Sequence, residues 1–318
     1  MKAMASPGYG PLATIALTDV SLPVPARGDV RVRVVASALN PADFKVVLGT
    51  LKFLHARNRP LIVGYDFSGT IDAVGPSVTG LSVGDDVFGF LPYGPGNSRG
   101  AFAESLIARS DEVAKKPAGV THDVAAAAAT TGLTAIQAIR DLGRLPSRGG
   151  RILVTGVSGG VGSIAVGIGK QLGAEVTAVG SGAGLELARK LGASEVIDRT
   201  SQALPGDLRD RFDVVFDAAA AYRWRQWRGA LRRGGAFVTT LPSLAFAVDT
   251  VHSLFTSTRV RFVNVKSRPA DLEVLGSWLA GGLEVPLAST IPVREVATGL
   301  ATLQRSGGRV SVRVADGF

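Results

Sequence analysis

The feature of the sequence that most restricts the fold is a glycine-rich turn between an apolar strand and a helix, in residues 151–163 (RILVTGVSGGVGS). The first glycine permits a tight turn, the next two let the backbone approach a pyrophosphate, and the last lets the helix pack closely on the strand. The helix offers unpaired N–H groups and the positive end of its dipole to an anion. The segment therefore predicts a dinucleotide-binding loop made by Gly156, Ser158, Gly159, Gly160, Val161 and Gly162.

Predicted strands and helices alternate from this segment onward. Strands are predicted at 151–155, 175–179, 195–198, 212–217, 236–240 and 259–265, and helices at 160–172, 184–191, 224–232 and 246–257. Such an alternation predicts a parallel sheet with helices on both faces, which is the doubly wound Rossmann arrangement.

The two ends of the chain follow different patterns. Residues 30–36 (VRVRVVA) alternate polar and apolar side chains, and glycines divide residues 63–84 into short runs, as in a small β barrel. The tail predicts two helices and a closing strand. We therefore expect an α/β protein with two domains, a β-rich one formed by residues 1–120 and 267–318 and a Rossmann domain formed by residues 121–266.

The chain has no cysteine among its 318 residues, which excludes disulfides and cysteine-based zinc or iron–sulfur sites. His55, His122 and His252 lack the spacing of metal ligands, so no metal site is expected. The beginning of the chain has no signal-peptide pattern, and the longest apolar stretch, at 124–139, is interrupted by threonines and a glycine. These features favour a cytoplasmic protein that is not embedded in a membrane.

The net charge of +9 admits more than one interpretation. It fits an ordinary arginine-rich surface, or attraction to anions such as NADPH, a CoA or carrier-protein thioester, or nucleic acid. The arginines are scattered, and the aromatic and basic residues after Tyr222 predict a helix with Trp224, Trp227 and Leu231 on one face. Nucleic-acid binding is therefore not expected.

The end of the second predicted Rossmann strand indicates which nicotinamide cofactor binds. Sites that prefer NAD usually place an acidic residue there to hold the ribose 2′-hydroxyl, and residues 179–183 (VGSGA) contain none. Gly180 and Ser181 leave room for a 2′-phosphate, so NADPH is favoured over NADH. Arg199 could supply positive charge, although a solvated surface arginine is an equally good interpretation. Ala219 and Leu241 follow later strands at the ligand-binding edge, where backbone contacts to ribose or nicotinamide are expected.

Several segments occur in the order of a known family. They are residues 38–45 (ALNPADFK), 64–69 (GYDFSG), 83–89 (VGDDVFG), 100–104 (GAFAE), 130–135 (TTGLTA) and the glycine loop. Over essentially the whole chain they resemble the zinc-independent quinone oxidoreductases and alkenal/enone reductases, including zeta-crystallin, of the medium-chain dehydrogenase/reductase superfamily. The resemblance implies a GroES-like barrel domain built from both chain ends around a Rossmann domain, and a homodimer. It implies no zinc, since this chain has Asn40 and Tyr65 where zinc-containing relatives place cysteine and histidine ligands.

The resemblance also implies roles for individual residues near the substrate. Lys45 matches a lysine of the enone reductases near cofactor and substrate, and a solvated helix residue is the alternative. Asn40 matches a pocket asparagine, although it could simply cap the turn at Pro41. Tyr65 is a second candidate donor to the substrate, with an aromatic lining role as the alternative.

Two further matches concern the cofactor. Thr131 corresponds to a threonine beside the nicotinamide, and a buried helix hydroxyl is its alternative interpretation. Arg309 stands where the family often has a basic residue near the cofactor, but a surface arginine is the favoured interpretation.

We therefore expect an NADPH-dependent, zinc-free reductase that transfers hydride to a quinone or to the C=C bond of an α,β-unsaturated carbonyl, both small-molecule substrates. Two alternatives stay open. One is an enoyl-thioester reductase, and the other is a non-catalytic NADPH-binding sensor or RNA-binding protein.

Overall fold

The structure is a computed structural model that describes residues 1–50, 59–93, 99–147, 149–201, 208–303 and 308–318. Its contacts divide the chain into two compact units. Unit 1 comprises Met1–Thr130 and Lys266–Phe318, and unit 2 comprises Thr131–Val265. The first division lies within the helix His122–Ile136, later than the boundary expected after residue 120. The expected limits of independently folding domains stay a prediction.

Strands and helices occur in both units. The strands are β1 (Lys2–Ser6), β2 (Ala16–Asp19), β3 (Asp29–Ala38), β4 (Leu61–Ile62), β5 (Asp66–Val74), β6 (Asp86–Phe90), β7 (Ser105–Arg109), β8 (Val113–Lys115), β9 (Arg151–Thr155), β10 (Glu175–Gly180), β11 (Glu195–Asp198), β12 (Phe212–Asp217), β13 (Leu231–Thr239), β14 (Arg259–Phe262), β15 (Leu287–Pro292) and β16 (Arg309–Arg313). The helices are α1 (Pro41–Val47), α2 (His122–Ile136), α3 (Gly160–Gln171), α4 (Ala183–Lys190), α5 (Trp224–Trp227), α6 (Leu244–Ser253), α7 (Pro269–Ala280) and α8 (Val296–Thr302).

Unit 2 is built on a six-stranded sheet with the order β11-β10-β9-β12-β13-β14. Every neighbouring pair is parallel. Numbered by appearance within the unit, the order is 3-2-1-4-5-6, which confirms the predicted doubly wound fold. In β9, Ile152, Leu153 and Val154 are all fully buried, as expected for a parallel strand covered on both faces.

The helix predicted at 224–232 is shorter in the structure. The helix α5 ends at Trp227, and Leu231 already begins β13, where it pairs with Phe212. The apolar positions Trp224, Trp227 and Leu231 are buried as the pattern indicated. Sheet pairing, rather than a continuing helix, buries the last of them.

Unit 1 is β-rich, as expected. A seven-stranded sheet runs in the order β15-β16-β3-β5-β6-β8, with β7 also pairing with β3, and a second sheet has the order β2-β1-β4. Val30, Val32 and Val34 of β3 point into the core, while Arg33 between them is exposed. The sequence did not predict β15, because most of its residues are exposed and show no alternation.

No helix in the described part of the chain has the length and apolar character needed to cross a membrane.

Candidate functional site

The glycine loop joins β9 to α3 as the sequence predicted. Gly156 has a φ of +71°, in the left-handed region that favours glycine. A Cβ atom on Gly162 would lie 2.2 Å from the carbonyl oxygen of Gly156, so no larger residue fits where the helix packs on the turn. Among the described residues no side chain caps the start of α3 at Gly159, which leaves the first N–H groups of the helix for a ligand. The glycine loop 156–162 and the start of α3 together form a glycine cradle, which fits the pyrophosphate of a dinucleotide.

The end of β10 lies against the glycine loop. A Cβ atom on Gly180 would lie 2.8 Å from Cγ2 of Val157, and one on Gly184 would lie 2.8 Å from Cβ of Ser158. The half-buried Ser181 stands between these two contacts. The structure therefore brings Ser181 beside the loop, where the adenosine ribose was expected from the sequence.

Arg199 follows β11, next to the end of β10. Its backbone N–H donates to the carbonyl oxygen of Gly180 at 2.9 Å, and its side chain is exposed. Asp198 pairs with Gly180 in the sheet and was not considered from the sequence. Its carboxylate accepts hydrogen bonds from the hydroxyl and the backbone N–H of Thr200, at 2.6 and 2.8 Å, and these bonds lower the pKa of Asp198. This acidic group is therefore engaged in its own turn.

A buried acid, Asp217, ends the neighbouring strand β12 and was also missed from the sequence. Its carboxylate accepts a hydrogen bond from the hydroxyl of Thr155 at 2.6 Å and one from the backbone N–H of Tyr222 at 2.9 Å. Burial raises the pKa of Asp217, and these hydrogen bonds oppose the shift. The only sequence signal was an acidic residue at the end of an otherwise apolar strand.

The two other predicted backbone contacts of unit 2 follow β12 and β13. A Cβ atom on Gly156 would lie 2.7 Å from Cβ of Ala219, so Ala219 touches the glycine loop. The hydroxyl of Thr240 donates to the carbonyl oxygen of Ala218 at 3.2 Å, which links the two strand ends. Leu241 comes next and is 49% exposed. Thr131 is buried in α2, and its place beside a nicotinamide stays a prediction.

Arg309 is not a surface residue, so the favoured interpretation from the sequence is wrong. It is 4% exposed and begins β16, where it pairs with Leu287 of β15. Its Nη2 donates to Oδ2 of Asp66 at 2.6 Å, and its Nη1 donates to Oδ1 of Asn40 at 2.9 Å. Two backbone carbonyls, of Leu39 and Ala127, accept at 2.7 and 2.9 Å. These four bonds hold the guanidinium within unit 1.

Asn40 belongs to the same cluster. Its side-chain N–H donates to Oδ2 of Asp66 at 2.9 Å, and its backbone N–H donates to Oδ2 of Asp43 at 2.6 Å. Asp66 is fully buried and also accepts hydrogen bonds from the backbone N–H and the hydroxyl of Thr130. Burial raises the pKa of Asp66, while Arg309, Thr130 and Asn40 oppose that shift. Both ends of the Asn40 amide are therefore engaged, so its orientation is fixed at the start of α1.

The other two predicted substrate residues are neighbours of this cluster along the chain, since Lys45 lies five residues after Asn40 and Tyr65 directly precedes Asp66. Lys45 is half-buried in the last turn of α1. Tyr65 is buried against Tyr93, with ring centroids 4.2 Å apart and planes tilted by 37°. Burial raises the pKa of Tyr65, so its phenol keeps its proton and can donate a hydrogen bond.

Asp43, between Asn40 and Lys45, was not considered from the sequence. Its side chain is fully buried, and its Oδ1 has no hydrogen-bond partner among the described residues. Burial raises the pKa of Asp43 well above its usual range. Unit 1 thus holds a fully buried carboxyl with a raised pKa within the motif that carries two of the predicted substrate residues.

No group of three or more His, Asp or Glu residues that could hold a metal ion occurs in the described ranges. The ring of His122 is engaged with the hydroxyl of Ser68 at 2.8 Å. His252 is exposed on α6, and His55 lies outside the described residues.

Two family models match the chain. Residues 26–118 match the model described as an alcohol dehydrogenase GroES-like domain, and residues 160–278 match the model described as a zinc-binding dehydrogenase. The first segment lies within unit 1, and the second begins at the first residue of α3.

The chain is similar to named oxidoreductases. The 2-methylene-furan-3-one reductase of Solanum lycopersicum is 37% identical over 227 residues, which are 69% of this chain and 57% of that protein. The chloroplastic quinone-oxidoreductase homolog of Spinacia oleracea is 31% identical over 251 residues, which are 76% of this chain and 75% of that protein. The match therefore spans little more than half the length of the tomato protein.

The fold is similar to that of a solved quinone oxidoreductase from Coxiella burnetii. The two chains superpose with a TM-score of 0.86 at 25% sequence identity, and the match covers 99% of each.

Proposed function

Because the chain belongs to the quinone oxidoreductase and enone reductase branch of the medium-chain dehydrogenase/reductase superfamily, we propose that it is an NADPH-dependent reductase of quinones or α,β-unsaturated carbonyls. The observation that carries the proposal is the glycine cradle at the central strands of the doubly wound sheet, where Gly162 packs directly on Gly156. Ligands of such sheets bind at this edge.

Bound NADPH supplies the hydride. In this proposal the first N–H groups of α3 hold the pyrophosphate, and Ser181 and Arg199 hold the 2′-phosphate. The lack of an acidic side chain in residues 179–183, at the end of β10, supports the preference for NADPH, because sites that prefer NAD usually hold the ribose 2′-hydroxyl with such a residue. Ala219 and Leu241 offer backbone contacts to the nicotinamide half, and Thr131 orients the ring.

The residues that we propose for the substrate, Lys45, Tyr65 and Asn40, belong to unit 1. An α,β-unsaturated carbonyl that accepts hydride at its β-carbon gathers negative charge on its carbonyl oxygen, and a cationic or hydroxyl donor stabilises that charge. We assign this role to the ammonium of Lys45 and the phenol of Tyr65. Asn40 is assigned a positioning role, because its amide is engaged with Asp66 and Arg309. Zinc has no part in the proposed reaction.

An enoyl-thioester reductase is the second candidate. The net charge of +9 favours it, since CoA and carrier-protein thioesters carry phosphate groups. The remaining alternative is a non-catalytic NADPH sensor or RNA-binding protein, which the absence of turnover would favour.

The homodimer is also a proposal. Strand β14 is the last strand of the six-stranded sheet, so it can pair with a second copy. Leu254 and Phe255, shortly before it, are 76% and 85% exposed. Light scattering after gel filtration tests this, and a monomer at micromolar concentration contradicts it.

The cytoplasmic location stays a prediction, since the spinach relative is named chloroplastic.

The deciding experiment is NADPH oxidation, followed by absorbance, with a panel of quinones, short alkenals, enones and an enoyl-CoA. Lys45→Ala is expected to lower kcat about 100-fold with the NADPH dissociation constant unchanged, because it removes one donor to the oxyanion. Lys115→Ala is the matched control, since this exposed lysine of β8 pairs with Asp85. Turnover of the enoyl-CoA alone favours the second candidate. NADPH binding without any turnover, accompanied by salt-dependent RNA binding, favours the non-catalytic alternative.

A further inference from the structure

Asp217 joins the ends of the two central strands of unit 2. Thr155 is the last residue of β9, Asp217 is the last residue of β12, and the two face each other in the sheet. The Thr155 hydroxyl donates to the carboxylate across this pair. The strand order changes direction between β9 and β12, which is where doubly wound sheets open a crevice for a ligand.

The same carboxylate also shapes the loop that follows β12. Its oxygens accept the backbone N–H groups of Tyr222 at 2.9 Å and Ala221 at 3.3 Å, so the chain turns back over the end of its own strand. Ala220 has a φ of +51°, an unfavourable value for a residue with a Cβ atom, within this turn. The carboxylate therefore supports a loop conformation that the local sequence does not favour.

This loop forms one wall of the glycine cradle. Ala219 approaches Gly156 so closely that a Cβ atom on Gly156 would lie 3.0 Å from the backbone nitrogen of Ala219. Thr155 immediately precedes Gly156. One buried carboxylate thus fixes both the start of the glycine loop and the loop packed against it.

We propose that Asp217 is a positioning residue for the dinucleotide, which sets the spacing between the glycine loop and residues 218–222. The inference rests on the proposed function, because it concerns the cofactor of that site. Asp217 does not touch the cofactor in this proposal. Its effect passes through Thr155 and through the backbone of Ala219.

The sign of the effect separates positioning from direct electrostatics. A negative charge near a polyanionic cofactor repels it, so removing the charge alone would tighten binding. Asp217→Asn removes the charge but keeps one accepting oxygen for three donors. Positioning predicts that this variant binds NADPH at least about tenfold more weakly, the order expected for a lost charge-assisted hydrogen bond.

The experiment measures the NADPH dissociation constant by cofactor fluorescence, together with KM for NADPH, kcat, KM for the acceptor and the melting temperature. Asp217→Asn should raise the dissociation constant and KM for NADPH and leave KM for the acceptor unchanged. Thr155→Val should show a smaller effect of the same sign, and Thr155→Ser should restore wild-type binding. The threonine pair decides the matter if Asp217→Asn does not fold.

Asp213→Asn is the matched control. Asp213 lies near the opposite end of β12, where it accepts the backbone N–H of Arg151 at 2.8 Å and pairs with Arg232. We expect it to lower the melting temperature without changing NADPH affinity. Equal weakening by both aspartate variants, or unchanged or tighter binding by Asp217→Asn, overturns the inference. A wild type that binds no NADPH instead overturns the proposed function, and the inference with it.

Discussion

Arg309 and Asp66 form an ion pair of 2.6 Å in which neither side chain is more than 4% exposed. Removing one partner of such a pair leaves an uncompensated buried charge, which typically costs about 3–5 kcal/mol. We expect Arg309→Met to lower the free energy of unfolding by this order. Urea denaturation of the protein, followed by circular dichroism, measures it.

Arg313 on the same strand provides the control for that variant. It pairs with Asp123 at 2.7 Å, but its side chain is 58% exposed, so solvent screens the pair. Arg313→Met should cost less than about 1 kcal/mol. Similar losses in the free energy of unfolding for both variants would show that the buried ion pair stabilises the protein no more than the exposed one.

Gly162→Ala should disable the cradle. The new methyl group would lie 2.2 Å from the carbonyl oxygen of Gly156, a backbone atom that cannot move without opening the turn. Overpacking of this kind costs about 1–3 kcal/mol, and we expect NADPH affinity to fall at least tenfold. Gly229→Ala is the control, because a Cβ atom there meets nothing within 4 Å. Wild-type NADPH affinity in Gly162→Ala would remove the main support for the proposed function.

Arg199→Ala tests the cofactor preference. If the exposed guanidinium binds the 2′-phosphate, its loss should weaken NADPH binding about tenfold and leave NADH binding unchanged. Isothermal titration with each cofactor gives both constants. Arg189→Ala, on α4, is the control, since that arginine pairs with Glu186. Equal affinities of Arg199→Ala and the wild type for NADPH would restore the solvated-surface interpretation.

Asp43 should make stability depend on pH. Its folded pKa is raised by burial, so the folded protein binds more protons than the unfolded chain above the ordinary carboxyl pKa of about 4. Stability therefore falls as the pH rises through that window. Asp43→Asn abolishes this titration and keeps an oxygen for the backbone N–H of Asn40, so it should gain stability relative to the wild type as the pH rises.

Asp85 provides the comparison of opposite sign. The hydrogen bond from Lys115 lowers the pKa of Asp85. The carboxylate of Asp85 therefore stabilises the folded protein above the unfolded pKa, and this stabilisation is lost as the pH falls through the folded pKa. Asp85→Asn should lose stability relative to the wild type at neutral pH and converge with it in acid. Urea midpoints measured over pH test both variants, and a flat difference for Asp43→Asn would contradict the argument.

The sequence predicted what depends on neighbours along the chain. The strand, glycine loop and helix at 151–163 could be assigned because turn, anion site and packing are encoded within a few residues. The hydroxyl of Thr155 and the carboxylate of Asp217 are 62 residues apart, and only the sheet order shows that they meet. Asp217 was missed for that reason.

Arg309 shows the same limit more strongly. A single arginine near a glycine is ordinarily exposed, and nothing near it in the sequence signals Asp66, 243 residues earlier. Similarly, β15 was missed because its residues are mostly exposed and pairing with β16 alone defines it. The local sequence pattern thus predicted the glycine cradle. The hydrogen bond between Thr155 and Asp217 and the buried ion pair of Arg309 and Asp66 could be found only from the tertiary structure.

The ion pair of Asp66 and Arg309 also bears on the order in which the protein is made. A ribosome translates Asp66 and Thr130 long before Arg309, so the nascent first segment of unit 1 contains an acid whose cation does not yet exist. Unit 2 is continuous in the chain and is translated in full during that interval. All of unit 2 has therefore been synthesised before the β-rich unit receives its last strand, and unit 1 is completed only when β16 emerges.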